Sequence, residues 1–138
     1  IWFIAVSGEE ANLRGSTYFV ENPLFPLSSI KYLINLDMIG DNNPVQYCEV
    51  SDEGLAGFAL MESINAACGS FKALQRGELA ANSDHYPFAK KGVPCIFFEN
   101  ESGDAFPFYH TYLDNMETIR LSTYEPLMEL IKEFIRKY

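Results

Sequence analysis

The chain has 138 residues, 48% of them hydrophobic, and a formal net charge of −9 from 19 acidic against 10 basic residues. That is enough chain for one domain with a real core, and too apolar a composition for disorder. The acidic balance argues against a nucleic-acid groove or an anionic membrane surface, which need clustered Lys and Arg, and no apolar run approaches the ~20 residues of a membrane span.

The first residues, Ile1 to Val6, are apolar and rich in β-branched and aromatic side chains, which predicts a strand buried on both faces. The run stops at Ser7-Gly8 and delivers two adjacent carboxylates, Glu9 and Glu10. In an open α/β sheet ligands gather at the carboxyl ends of strands, so an acid pair there is either a site or the favourable first turn of a helix. Because the chain opens in mid-strand without Met, it reads as cut from something longer; no basic segment with an apolar h-region marks a signal peptide.

Residues 11–21 predict a helix with Leu13, Tyr18 and Phe19 facing inward; Gly15-Ser16 in its middle points to close packing against the sheet. Residues 30–38 predict a second strand, again an apolar run that ends at an acid, Asp37, either a turn cap or a site residue. A turn at Asp41–Pro44 precedes a short strand over 45–50. Ser51-Asp52 predicts the start of a helix over 53–68, with Leu55, Phe58, Ala59 and Met61 as core contacts and Gly69 as its left-handed end. Residues 71–75 predict a further strand. Asn82–His85 opens a short helix that Gly92 closes, and 93–99 predicts another buried strand.

A loop carrying Tyr109, His110 and Asp114 follows. Ser122-Thr123-Tyr124-Glu125 has the capping-box pattern, opening a last helix with Leu127, Leu130, Ile131, Phe134, Ile135 and Tyr138 as a core stripe. The element order predicts an α/β fold, a mostly parallel mixed sheet flanked by helices on both faces. Cys48, Cys68 and Cys95 are too few and too scattered for a disulfide framework or a Cys-x-x-Cys site, and read as buried free thiols. Asn100-Glu101-Ser102 matches a glycosylation sequon and is assigned no role.

With only two histidines, any metal or acid–base site must draw on His85, His110 or carboxylates. An acid near a histidine, as Asp114 is to His110, is the usual partner of a metal-bound imidazole. No Gly-x-Ser-x-Gly elbow, Walker loop or dinucleotide fingerprint is present, and neither histidine has a cysteine in a recognisable catalytic context.

Ser7-Gly8-Glu9-Glu10 with Gly15-Ser16, then Asn35–Gly40, Ser83-Asp84-His85, Gly92-Val93-Pro94 and Tyr109-His110-Thr111 with Asp114 together resemble one set of proteins. These are the co-catalytic zinc exopeptidases of the bacterial leucyl aminopeptidase type, a family that includes glutamate carboxypeptidase and glutaminyl cyclase. Each motif alone is weak; five in order over nearly all of the chain are specific. The resemblance implies a zinc peptidase sandwich that acts on peptide substrates. Glu9 would be the general base, Glu10 and His110 ligands of one zinc, and Asp37 a ligand of the other. Asp84, His85 and Tyr109, with Asp114, would line the site, contacting substrate or supporting a ligand. Two Zn²⁺ ions would lower the pKa of a shared water, with Glu9 carrying its proton to the leaving amine.

The chain departs from that pattern. Family members carry a His-x-Asp motif and a metal-bridging Asp upstream of the Glu-Glu pair, and neither is present here. Residues 1–138 are therefore expected to be the C-terminal portion of a single catalytic domain, incomplete at its N-terminal end. This stretch by itself is expected to bind zinc weakly, to be inactive and to self-associate. Asn12, where the family often has Gly, implies a modest change in one turn. The alternatives are a glutaminyl cyclase-like acyltransferase with a single zinc, against which Tyr109 before His110 weighs, and a non-catalytic homologue serving as a binding domain. Exported bacterial enzymes of this type are common, which assigns no compartment here.

Overall fold

The computed structural model describes residues 1–40, 45–99 and 108–138; the turn expected at Asp41–Pro44 and the Asn100 sequon lie outside them. Four strands form one mixed sheet: β1 (Leu33–Leu36), β2 (Val45–Val50), β3 (Ala73–Gly77) and β4 (Cys95–Glu99), in the order β1-β4-β2-β3. The β1–β4 and β2–β3 pairs are parallel and β2–β4 is antiparallel. The mostly parallel mixed sheet read from the sequence is therefore correct.

Strand alternation sorts the core onto two faces. Cys48 and Val50 of β2 and Ile96 and Phe98 of β4 point to one face. There they meet Phe58, Met61 and Ile64 of helix α2 (Leu55–Cys68) and Leu127, Leu130 and Phe134 of helix α4 (Tyr124–Lys137). Each such side chain contributes about 1.5–3 kcal/mol by leaving water. On the other face Val20 of helix α1 (Arg14–Glu21) and Phe88 of helix α3 (His85–Ala89) pack with Val93 and Leu33. Helices thus cover both faces.

Local chemistry explains the element ends. Ser51 Oγ accepts from the N–H of Gly54 and from that of Cys95, both at 3.1 Å, so one hydroxyl caps the turn into α2 and ties it to β4. Gly69 ends α2 at φ +67° and donates its N–H to Asn65 O at 2.7 Å.

Several expectations need correction. Residues 1–6 share no ladder with the four strands described and form no strand, and residues 1–5 are exposed, Ile1 by 86% and Phe3 by 94%. They lie along β1 instead: Ile1, Trp2, Ile4 and Val6 line a groove of about 450 Å³ with Leu33, Ile34 and Asn35. Helix α1 starts at Arg14 rather than Ala11, because Asn12 and Leu13 adopt left-handed backbone at φ +70° and +55°. Tyr18 faces solvent and Val20 takes the inward place. The third strand begins at Ala73, since the Asn65 side-chain amide holds Phe71 earlier, its Nδ2 donating to Phe71 O and its Oδ1 accepting from the Phe71 N–H. Leu55 and Ala59 are exposed, and so are Ile135 and Tyr138 of the last helix. The capping box does not form: Thr123 is the N-cap residue and its Oγ1 donates to Ile39 O at 3.2 Å. Cys48 and Cys95 are buried thiols, but Cys68 is exposed.

Candidate active site

Asp37 lies one residue beyond β1, where its N–H still reaches Phe98 O at 3.4 Å, and Glu99 ends the neighbouring parallel strand β4. The carboxyl ends of two adjacent strands therefore carry an acid each, at the rim where open α/β sheets bind ligands. A cavity of about 650 Å³ opens over this rim, lined among others by Glu9, Glu10, Asp37, Glu99 and Asp114, with Tyr109 and His110. Among the described residues no lysine or arginine lines it, so its field is suited to cationic groups.

Each contributor has a local reason for its place. Glu9 and Glu10 leave a turn at Gly8, φ +70°, that is bonded into the start of α1: Leu13 N–H donates to Glu9 O and Arg14 N–H to Gly8 O. Gly15 lets that helix sit on the turn, because a Cβ there would lie 2.2 Å from Ser7 O. Gly40 does the same for the late loop, since a Cβ would meet Ile119 at 2.5 Å. With Thr123 bound to Ile39 O, residues 108–123 are held against the end of β1. Across 100 positions of sequence, His110 Nε2 and Glu10 Oε1 then meet at 2.7 Å. The Tyr109 ring stacks on the imidazole, centroids 3.8 Å apart.

Asp37 is fixed by a relay: Ser83 Oγ donates to its Oδ2 at 2.8 Å and accepts from Asn35 Nδ2 at 2.9 Å. Burial raises the pKa of Glu9, as do the nearby charges of Asp37, Glu10 and Asp84, while His110 pulls it down. Backbone strain gathers here as well. Among the described residues four non-glycines have positive φ, namely Asn12, Leu13, Met38 and His110, and all four line this cavity. Such conformations cost of order 1–3 kcal/mol and cluster at functional sites.

Glu9, Glu10, Asp37, Tyr109, His110 and Asp114 thus share one cavity, and Asp84 and His85 do not line it. Asp84 borders the groove along β1 and accepts from Ser16 Oγ at 2.6 Å. His85 is fully buried, its ring stacked on Phe97 at 4.7 Å and its Nε2 3.2 Å from Glu49 Oε2. Among the described residues no hydrogen bond joins Asp114 to His110. Among the described residues no cysteine lines the cavity, and burial raises the pKa of both Cys48 and Cys95. Sequence reasoning passed over Glu99, Glu49 and Asn82. Glu99 carried the same signal as Asp37, an apolar run ending at an acid.

The Glu10–His110 pair offers the carboxylate oxygen and imidazole nitrogen that zinc takes, and Asp37 offers a further oxygen in the same cavity. The donor chemistry fits zinc. The number is small: among the described residues no three His, Cys, Asp or Glu side chains converge to hold an ion, where even a catalytic zinc takes three protein ligands.

The fold is thus an α/β sheet between helices, with acids and an imidazole collected at its carboxyl-end rim. The model of peptidase family M28 matches residues 1–135, and the chain belongs to that family. Among solved structures it is similar to the LapA aminopeptidase of Legionella pneumophila, with a TM-score of 0.72 at 23% identity, covering 96% of this chain and 37% of that one. It is also similar to BSAP, a zinc aminopeptidase from Bacillus subtilis, with a TM-score of 0.74 at 25% identity over 96% of this chain and 34% of that one. Glutaminyl cyclase from Porphyromonas gingivalis matches with a TM-score of 0.70 at 24% identity, over 91% and 48%. These likenesses show a shared fold, and the chain spans less than half the length of each of the three. Among the described residues no helix is long and apolar enough to cross a membrane.

Proposed function

We propose that the protein of which these residues are part is a metal-dependent exopeptidase of the aminopeptidase kind. The observation that carries this reading is the meeting of Glu10 and His110 at 2.7 Å in the cavity that Glu9 and Asp37 also line. Glu10 Oε1 and His110 Nε2 would hold one zinc ion and Asp37 would contribute to a second. Bound zinc supplies Lewis acidity, which polarises a carbonyl and lowers the pKa of water towards about 7. Glu9 is the general base: its carboxylate takes the proton of the attacking water and returns it to the leaving amine. The acid-rich wall favours a peptide's free amino terminus as the cationic group that enters.

Residues 1–138 are proposed to be the later part of one catalytic domain, whose earlier part supplies the remaining ligands. By themselves they would hold zinc weakly and be inactive, which fits a donor pair plus one carboxylate. The cyclase-like alternative shares the same fold, and no contact among the described residues favours it. In the full-length protein Glu9→Gln should abolish hydrolysis of aminoacyl anilides and leave zinc content unchanged. Turnover retained in that variant, measured beside its metal analysis, would remove Glu9 from its role.

A further inference from the structure

Glu49 is an acid inside a strand, 6% exposed, in β2 behind the cavity wall. Burying a carboxylate is unfavourable unless its oxygens are satisfied, and among the described residues its side-chain partners come from one short stretch. Glu49 Oε2 accepts from the Ala80 N–H at 2.8 Å and faces His85 Nε2 at 3.2 Å, and Oε1 accepts from Asn82 Nδ2 at 2.5 Å. A carboxylate offers only acceptors, so the orientation of each partner is dictated. Asn82 must turn its NH2 group towards Glu49, which carries its carbonyl oxygen on the other side. His85 must hold its proton on Nε2. A simple ion-pair partner of His85 would need one contact; here two more go to the loop.

That loop is also a wall of the candidate site. Ala81 and Asn82 line the cavity. Ser83, next in sequence, donates to Asp37 and accepts from Asn35. Asp84 binds Ser16 of α1, the helix that follows Glu9 and Glu10. Displacing residues 80–84 would therefore move the carboxylate of Asp37 and loosen the seat of α1 together.

We propose that Glu49 is a positioning residue of this site, whose carboxylate locks residues 80–85 against β2 and, through Ser83, holds Asp37 in place. Glu49 itself does not line the cavity, so it acts through these neighbours. The activity consequence rests on the peptidase reading above, and the structural consequence does not.

The test uses the full-length protein with Glu49→Ala and Glu49→Gln, measuring steady-state kinetics and residue-resolved amide exchange. A misplacement of about 1 Å at a reacting centre costs up to ~100-fold; for Glu49→Ala we expect kcat to fall about tenfold with KM changed less than about twofold. Exchange at 80–84 should accelerate while β4 and α4 keep their protection. Glu49→Gln should regain most of kcat, because it still accepts from Ala80 and a rotated Asn82 amide accepts from its NH2 group. If Glu49→Ala does not fold, Asn82→Ala at an exposed position cuts one of the bonds. It should accelerate exchange at Ala80 and lower kcat by a factor of about three. Wild-type exchange over 80–84 in a folded Glu49→Ala or in Asn82→Ala overturns the proposal, and so does a loss that Glu49→Gln fails to restore. Faster exchange confined to 80–84 supports it even if the wild-type protein hydrolyses no peptide, an outcome that removes the peptidase reading alone.

Discussion

Burial of His85 against Phe97 lowers its pKa to about 4. The carboxylate of Glu49 at 3.2 Å pulls the other way, but protonation would place a second N–H at Nδ1, an atom without a partner among the described residues. The cost of that unpaired group decides for the neutral ring. An unfolded histidine titrates near 6.5, so between pH 6.5 and 4 the unfolded chain binds a proton that the folded chain refuses. Stability from this group is complete above about pH 6.5 and is lost as pH falls through about 4, by a total of about 3 kcal/mol. Denaturant unfolding of the wild type and of His85→Gln across that range should show the wild type alone losing this increment; parallel curves would sink the assignment. At this scale the acids at strand ends were legible: an apolar run that stops at a carboxylate marked Asp37 and would have marked Glu99. Glu49 was not, because its meaning lies in partners 31 to 36 positions away.

Helix α1 shows how an element serves a site that it does not itself form. It rests on the Ser7-Gly8 turn at Gly15, where an added Cβ would lie 2.2 Å from Ser7 O and 2.7 Å from Ser7 N. Both are backbone atoms and cannot swing aside. Gly15→Ala gains about 1 kcal/mol of helix propensity, against an overpacking cost of about 1–3 kcal/mol. The clash should win: we expect net destabilisation of up to about 2 kcal/mol by thermal unfolding and, on the proposed peptidase reading, a loss of activity in the full-length protein because the turn carries Glu9 and Glu10. A more stable Gly15→Ala variant would show that the helix stands clear of the turn. The sequence pattern anticipated close packing at Gly15-Ser16, though against the sheet rather than against the acid-bearing turn. Helix α2 and strands β2 and β4 were readable from capping and apolar runs, whereas residues 1–6 were not. Their composition suits a buried strand, but strand formation depends on ladder partners, which a run of apolar residues does not reveal.

For the whole molecule, two properties oppose each other. The net charge of −9 resists association. Against it, β1 is an edge strand among the described residues, and the groove beside it is lined by Ile1, Trp2 and Ile4, with the Trp2 ring tilted against Phe25 at 5.0 Å. Trp2 is 72% exposed even so. Covering an Ile or Phe side chain is worth about 1.5–3 kcal/mol, whereas charge repulsion is screened within about 8 Å at physiological salt. Apolar contact should therefore prevail once salt is present. Light scattering of the 138-residue chain should find self-association that grows between low and physiological ionic strength, and the double variant Ile1→Ser, Phe3→Ser should return it to a monomer. A wild-type chain that stays monomeric at high concentration in salt would mean that this face is closed by its own residues. The edge at β1 would then have no open surface to offer a second strand.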